Sequence, residues 1–368
     1  MLNTTPALDR FAETVVSWQK KDGRHGLPWQ NTRDPYKVWL SEIMLQQTQV
    51  STVIGYYERF LARFPTLETL ARATQDEVMP YWAGLGYYAR ARNLHRCAQE
   101  ICQNWQGKFP RDADQIMLLP GIGRSTAAAI AAFSYGQRRP IMDGNVKRVF
   151  TRYFGIYGNP ALRATEQLLW QTADDVVADA PPSLDMAAYT QGLMDLGSGC
   201  CTRSRPNCTA CPLTSHCYAR IESRQHELPT PKPKKINDER QCKMLVLQNQ
   251  TSILLEQRPS PGIWGGLWSL PQYDDLDALQ NACLQWGQSA VPAHKMAALL
   301  HTFSHFKLHI EPWHVPCSTP VLSEPLPHQS WVPIADLNET ALPAPIKKIL
   351  CGLFETRQDT SGAAADNY

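Results

Sequence analysis

The segment 119–148 constrains the fold of this chain more than any other part of it. It reads LPGIGRSTAAAIAAFSYGQRRPIMDGNVKR. Gly121 and Gly123 allow a tight turn, and an Ala-rich helix over residues 124–133 follows that turn. The segment therefore predicts a helix–hairpin–helix unit. Because neither glycine has a side chain, a phosphate group can approach the first N–H groups of the second helix.

A carboxylate follows the hairpin at a defined place. Asp143 directly precedes GNVKRVF, which is predicted to start another helix. An Asp at such a place commonly caps the helix, because its side chain accepts N–H groups of the first turn. Capping and catalysis are compatible, so Asp143 is a candidate for both: an N-cap, and a carboxylate held close to a bound strand.

Length and charge favour two domains with different partners. A chain of 368 residues is long for one hydrophobic core. Residues 1–225 carry 25 Lys and Arg against 20 Asp and Glu, whereas residues 236–368 carry 8 against 13, so the first part is the better polyanion binder. Residues 1–10 lack the apolar run of a signal peptide, and the longest apolar run, residues 127–133, is too short to cross a bilayer. We therefore expect a cytoplasmic protein with no membrane partner.

Apolar residues at helical spacing predict that residues 7–218 form an all-α region, with helices separated by loops and no strands. Glu42 lies beside the apolar side of the helix predicted over residues 35–49. There it is either a residue of the rim or a buried acid with a raised pKa. Tyr87, in the turn GLGYYAR, is either part of the core or an exposed aromatic ring that can wedge between base pairs.

Four cysteines crowd into one short loop with the pattern Cys201-x6-Cys208-x2-Cys211-x5-Cys217. In a chain expected in the cytoplasm, such clustering indicates a metal or cluster site instead of disulfides. Four thiolates suit both tetrahedral zinc and a [4Fe–4S] cluster. Structural zinc sites favour two short Cys pairs and only one is present, so the spacing favours iron–sulfur but leaves zinc open.

The composition changes after residue 225. Residues 226–240 are rich in Pro and Lys and predict a semi-extended linker. Residues 241–355 then predict an α+β domain of short strands and two helices. Residues 356–368 predict a disordered tail.

Five motifs in this order resemble the MutY-type adenine DNA glycosylases of the endonuclease-III-like superfamily: WLSEIMLQQTQV, GLGYYARARNLH, LPGIGRSTAAAI, IMDGNVKR and the four-cysteine loop. The resemblance implies an all-α helix–hairpin–helix glycosylase domain over residues 1–225, with its iron–sulfur loop at 201–217, and a Nudix-like domain over residues 241–355. It also implies one [4Fe–4S] cluster, held by Cys201, Cys208, Cys211 and Cys217. We expect a bacterial monomer that acts on nucleoid DNA.

The implied activity is hydrolysis of the N-glycosidic bond of adenine opposite 8-oxoguanine or guanine in double-stranded DNA. Glu42 matches the family's general acid, and Asp143 matches the carboxylate that stabilises the sugar cation. The other matching residues fall into three groups: the adenine pocket and its surroundings at Trp29, Gln191 and Asn145, DNA contacts at Gln47, Tyr87, Gly121, Gly123 and Ser125, and 8-oxoguanine recognition at Ser304 and His305.

Alternatives remain open at this stage. A bifunctional glycosylase and lyase would carry a Lys in the second hairpin helix to form a Schiff base, but Ser125 stands in that place. A non-catalytic iron–sulfur DNA-binding protein would not need both Glu42 and Asp143. Residues 274–287 contain no Glu for metal, so we expect no Nudix hydrolysis. Ser304 and His305 could also simply end a strand.

Overall fold

The computed structural model describes residues 8, 10–232, 238–286, 293–317 and 325–361. The chain divides into two compact units. The first is made of Met1–Arg72 and Asn93–Lys234, and the second of Ala73–Arg92 and Lys235–Tyr368.

Residues 10–232 are helical wherever they are regular, as predicted. The α-helices are α1 Phe11–Asp22, α2 Pro35–Leu45, α3 Val50–Arg63, α4 Leu67–Arg72, α5 Gln75–Val78, α6 Ala89–Asn104, α7 Ala113–Ile116, α8 Arg124–Tyr135, α9 Gly144–Phe154, α10 Arg163–Asp179, α11 Met186–Asp195 and α12 Tyr218–Ile221. A π-helical turn, Leu196–Cys200, continues α11. No helix among the described residues is long and apolar enough to span a bilayer.

Local chemistry fixes where the helices begin and end. Asp34 caps α2, accepting from Tyr36 N, and Pro35 takes the first helical position, where its missing N–H is harmless. The second hairpin helix, α8, ends at Gly136 in a left-handed conformation. Aromatic rings then join the helices of the first unit: Phe11 of α1 makes edge contacts with Phe150 and Tyr153 of α9, at 5.4 and 4.7 Å between ring centroids.

The hairpin glycines differ in what they require. Gly121 has φ +77°, and a Cβ there would stand 2.6 Å from Asn93 Cβ, so this turn excludes any larger residue. Gly123 has ordinary φ, and a Cβ there would meet no atom within 4 Å. The first glycine therefore shapes the hairpin, while the second leaves open space before α8.

The second unit is built on one mixed sheet. Its strands are β1 Asp238–Asn249, β2 Ser252–Gln257, β3 Trp268–Ser269, β4 Gln272–Tyr273, β5 His294–Lys295, β6 Leu299–Thr302, β7 Phe306–Cys317 and β8 Gln329–Pro333. Strands β1 and β7 lie side by side in parallel, from Asp238 against Phe306 to Asn249 against Cys317. Helices α13 Leu276–Gln285 and α14 Ala344–Ser361 complete the α+β architecture that was predicted.

Three predicted boundaries need correction. Strand β1 begins at Asp238, inside the predicted linker, because pairing with β7 continues to that residue. Helix α14 runs to Ser361, so residues 356–361 are helical and not the start of a disordered tail, while residues 362–368 lie outside the described part of the chain. Residues 73–92 group with the second unit, where Gln257 Nε2 donates to Asp76 Oδ1 at 3.1 Å.

Candidate active site

A cavity opens among helices α1, α2, α8 and α11 of the first unit. Its walls include three of the residues expected to meet a base, Trp29, Glu42 and Gln191. Trp29 is almost fully buried and is held by an edge contact with Tyr57 at 5.4 Å. An aromatic ring, a carboxyl group and an amide therefore line one open pocket, the usual make-up of a small-molecule or base site.

Glu42 lies on α2 with Ser41 and Ile43, both buried, as its neighbours. Its carboxyl group makes no hydrogen bond to any residue that the structure describes, so nothing there favours the ionised form. Burial raises the pKa of Glu42 to about 8, and the nearby charge of Asp143 adds to the rise. Glu42 is thus a partly exposed residue of the cavity wall whose acid has a raised pKa, so it combines features of both predicted settings.

Asp143 is the N-cap of α9. Its Oδ1 accepts from Asn145 N at 2.8 Å and from Val146 N at 2.7 Å. Burial raises the pKa of Asp143, whereas these backbone N–H groups and the cations Arg148 and Lys147 oppose that rise. Two carboxyl groups therefore interact in different surroundings: one is held by donors that favour its charge, and the other is not. Asp143 itself does not line the cavity wall.

Asn145 is tied to the cysteine loop through Arg148, a residue that sequence reasoning did not single out. The Arg148 guanidinium donates to Asn145 Oδ1 at 2.8 Å, to Gly197 O at 2.6 Å and to Cys201 O at 2.7 Å. Arg148 thus holds both the Asn145 side chain, near Asp143, and the backbone at Gly197 and Cys201, where the chain enters the cysteine loop. Arg148 was visible in the sequence as part of GNVKR, but two of its partners, Gly197 and Cys201, lie about fifty residues further along the chain.

Asp195 and Arg24 were also missed by sequence reasoning. Gln191 Nε2 donates to Asp195 Oδ1 at 2.8 Å, and Arg24 donates to the same carboxylate from its backbone N at 2.9 Å and its Nε at 2.7 Å. Asp195 is only 4% exposed. The i, i+4 spacing of Gln191 and Asp195 on one helix was the only signal in the sequence that could have linked them.

Ser125 has an internal partner in the first turn of α8. Its Oγ accepts from Met142 N at 2.9 Å, next to Asp143. The hydroxyl thus holds the segment that leads into the capped carboxylate, a role that its grouping with the DNA contacts did not anticipate. Gly121 and Gly123 lie at the hairpin tip, and both are exposed.

The two residues predicted to fill or support the gap left in the duplex share an unusual backbone conformation. Gln47 and Tyr87 both have positive φ, at 59° and 49°. For residues other than glycine this conformation is uncommon, and it often marks functional sites. Tyr87 is 49% exposed, so the alternative of core packing is wrong for this residue. Tyr87 belongs to the second unit and Gln47 to the first.

The four predicted ligand cysteines line one separate cavity in the first unit, and none is in a disulfide. Arg152 Nη1 donates to Cys201 Sγ at 3.3 Å, and Gln225 Nε2 lies 4.0 Å from Cys208 Sγ. In the ranges the structure describes, no three His, Cys, Asp or Glu side chains are placed as ligands of a metal ion. Four thiols around one cavity, with N–H donors directed at sulfur, still fit an anionic thiolate cluster.

A fifth cysteine was overlooked. Cys200 lines the same cavity and donates to Asn207 O at 3.1 Å. Cys200 directly precedes Cys201 in the sequence, but the predicted four-cysteine pattern begins at Cys201 and leaves Cys200 out.

Ser304 and His305 belong to the second unit. They form the exposed turn between β6 and β7, closed by Phe303 N donating to Phe306 O at 2.9 Å. Phe303 stacks on Phe306, with ring centroids 4.5 Å apart, so the turn is supported from beneath by aromatic packing. Both residues are exposed, and Ser304 Oγ lies within hydrogen-bond distance of His305 Nδ1, at 3.3 Å.

Comparison with known proteins identifies both units. Residues 40–174 match the HhH-GPD superfamily base excision DNA repair protein, and residues 243–351 match the NUDIX domain. The chain is similar to a thermostable thymine-DNA glycosylase of known structure, with a TM-score of 0.52 and 28% identity, over 58% of this chain and 97% of that one.

Curated relatives cover nearly the whole chain. The adenine DNA glycosylase of Buchnera aphidicola subsp. Acyrthosiphon pisum is 35% identical over 343 residues, which are 92% of this chain and 96% of that protein. The adenine DNA glycosylase of Homo sapiens is 32% identical over 404 residues, covering 92% of this chain and 73% of that protein. The chain therefore belongs to the adenine DNA glycosylase family.

Proposed function

We propose that this protein is a monofunctional DNA glycosylase that hydrolyses the N-glycosidic bond of adenine opposite 8-oxoguanine or guanine in duplex DNA. The observation that carries the proposal is the pair of unlike carboxyl groups, in which Glu42 has a pKa of about 8 and Asp143 is held by two backbone N–H groups. Family membership supports the same setting that the sequence suggested: a monomer acting on nucleoid DNA in the bacterial cytoplasm.

The two carboxyl groups take different parts in the reaction. Adenine is a poor leaving group as an anion, so Glu42, protonated at neutral pH, gives its proton to N7 of the base as the bond to the sugar breaks. The sugar carbon then develops the positive charge of an oxocarbenium ion, as in other glycoside hydrolyses. Asp143 stabilises that charge, and the N–H groups of α9 keep its carboxylate in place.

The base must leave the helical stack before these groups can reach it. We assign the cavity lined by Trp29 and Gln191 to the flipped adenine, since it combines an aromatic wall with an amide. Gln47 and Tyr87 are assigned to the gap left in the duplex, because their exposed side chains stand on a constrained backbone. Gly121 and Gly123 leave room for a phosphate at the start of α8, which positions the strand.

The absence of an amine from the first turn of α8 supports a glycosylase without lyase activity. A Schiff base at the sugar carbon requires a lysine, and the Ser125 hydroxyl cannot form one. Its bond with Met142 N gives the hydroxyl a positioning part next to Asp143 instead. Asn145, fixed by Arg148, is assigned to the same surroundings of the carboxylate.

We assign one [4Fe–4S] cluster to Cys201, Cys208, Cys211 and Cys217. Their common cavity and the N–H donors to sulfur support this assignment, and family resemblance favours it over zinc. When bound, the cluster would act as a structural crosslink for a loop with few buried apolar residues. Arg148 and Arg152 hold the backbone of this loop from α9.

Two substitutions test the carboxyl pair. Glu42→Gln should abolish adenine release but keep duplex binding, because the amide has the shape of the acid without its proton. Asp143→Asn should slow release by on the order of a hundredfold or more. The measurement is single-turnover base release from duplexes with A opposite 8-oxoguanine, A opposite G, or an oxidised pyrimidine, read before and after alkali.

The matched control is Glu58→Gln, an exposed Glu on the neighbouring helix α3, which should release adenine at the wild-type rate. Full activity of either active-site variant would contradict the assigned roles. Release of the oxidised pyrimidine, or strand nicking by the wild-type protein before alkali, would contradict a monofunctional adenine glycosylase.

The raised pKa of Glu42 predicts a pH-dependent stability difference that needs no DNA. The folded protein keeps a proton on Glu42 up to a pH of about 8, whereas the unfolded chain loses it near its ordinary value of 4.5. Glu42 therefore makes the folded state less stable as pH rises through that window. Glu42→Gln removes the effect, so its melting temperature should gain on that of the wild type between about pH 5 and about pH 8 and then level off. A constant difference across this range, or the same trend in Glu58→Gln, would contradict a protonated Glu42.

The cluster assignment predicts the metal content. Cys208→Ser should lose iron and acid-labile sulfide together with visible absorbance, and its melting temperature should fall. Cys102→Ser, on α6 and away from the cavity, should keep all of them. Stoichiometric zinc without iron in wild-type protein made under iron-replete, anaerobic conditions would overturn the assignment.

The turn between β6 and β7 is assigned to recognition of 8-oxoguanine. Replacing both Ser304 and His305 with Ala should shrink the preference for 8-oxoguanine over G by weakening capture of the lesion more than the chemical step. We would compare rates at limiting and saturating enzyme. His294→Ala, at an exposed histidine of β5, serves as the control. An unchanged preference at limiting enzyme would rule out this turn.

A further inference from the structure

Asp195 lies behind the cavity wall and contacts it through Gln191 and Arg24. Its Oδ1 accepts from Gln191 Nε2 at 2.8 Å and from Arg24 Nε at 2.7 Å, and its Oδ2 accepts from Arg24 N at 2.9 Å. Both Arg24 and Gln191 line the cavity, whereas Asp195 does not. The carboxylate is nearly inaccessible, so its partners are set by the protein alone.

This arrangement decides which way the Gln191 amide faces. A carboxylate bonded to a guanidinium offers only acceptor atoms, so it can bond the Nε2 end of the amide but not the Oε1 end. Gln191 Oε1 accepts no hydrogen bond from the residues that the structure describes, and Nε2 has a second N–H beyond the one given to Asp195. Gln191 therefore has one acceptor and one donor left for a ligand in the cavity.

We propose that Asp195 is a specificity-determining residue, which selects a 6-aminopurine over a 6-oxopurine by fixing the orientation of the Gln191 amide. The proposal rests on the proposed function. It adds a reason why the pocket takes adenine and not another purine of similar size and shape.

The chemistry of the purine edge supplies the link. With Glu42 at N7, the edge left for Gln191 carries position 6 and N1. Adenine presents a donor at N6 and an acceptor at N1, which match Oε1 and the remaining N–H of Gln191. Hypoxanthine presents an acceptor at O6 and a donor at N1, so both contacts become mismatched. Turning the amide over would reverse the preference, and the carboxylate of Asp195 prevents it.

The test is Asp195→Leu. A Leu side chain is apolar and has no acceptor atom, so it no longer fixes the Nε2 end of Gln191 and the amide can take either orientation. The ratio of single-turnover release rates for adenine and hypoxanthine, each opposite 8-oxoguanine in one duplex, should fall by on the order of tenfold or more. A loss of structure would slow both bases together and leave that ratio unchanged.

A matched control lies on α10, where Gln171 Nε2 donates to Asp175 Oδ1 at 2.8 Å with the same i, i+4 spacing on an exposed surface. Asp175→Leu should leave both rates and their ratio at wild-type values. An unchanged ratio in folded Asp195→Leu would overturn the proposal. If wild-type protein released no adenine, the proposed function would fail first, so the two failures are distinguishable.

A second measurement uses wild-type protein, in case Asp195→Leu does not fold. Duplexes carry adenine, unsubstituted purine or hypoxanthine, and each rate is divided by the rate of acid loss of the same base from its free deoxynucleoside. Purine keeps the N1 acceptor and has no group at position 6, so the normalised rates should fall from adenine to purine to hypoxanthine. Hypoxanthine released as fast as purine would overturn the proposal.

Discussion

The arrangement of the candidate active site depends on the electrostatic interaction between two carboxyl groups of the first unit. Glu42 and Asp143 come from different helices, α2 and α9, and the charge of one raises the pKa of the other. Two carboxyl groups this close would destabilise the fold if both were charged. The site is therefore stable only when one of them stays protonated and the other carries the charge. Backbone N–H groups at the start of α9 favour the charge on Asp143, and apolar neighbours on α2 favour the neutral form of Glu42.

A network of hydrogen bonds surrounds this pair and joins distant parts of the chain. Helix α11 presents Gln191 and Asp195, then continues into a π-helical turn whose Gly197 carbonyl accepts from Arg148. The same guanidinium reaches Asn145 beside Asp143. Helix α9, helix α11 and the π-helical turn are thereby held by buried or partly buried hydrogen bonds, which are costly to leave half-made and so define one arrangement.

The sequence predicted what local pattern and chemistry dictate. Helical spacing, the hairpin glycines and the capping position of Asp143 could be read directly, and the resemblance placed Glu42 and the four cysteines. What escaped prediction depends on contacts between distant residues. Arg24 and Asp195 are 171 positions apart, and nothing in either neighbourhood indicates their bond. Strands β3, β4 and β5 have two residues each, too few to show alternation.

The parallel pairing of β1 with β7 sets the order in which the second unit can form. Some seventy residues separate the paired positions, and β1 carries a run of buried apolar side chains, Met244 to Leu247. Until β7 leaves the ribosome, β1 has only the short antiparallel partners β2 and β4. Closing so long a loop is slow, and an unpaired apolar strand invites association with other chains. The first unit can meanwhile fold from contacts among residues already made, so newly made protein passes through a stage in which only that unit is complete.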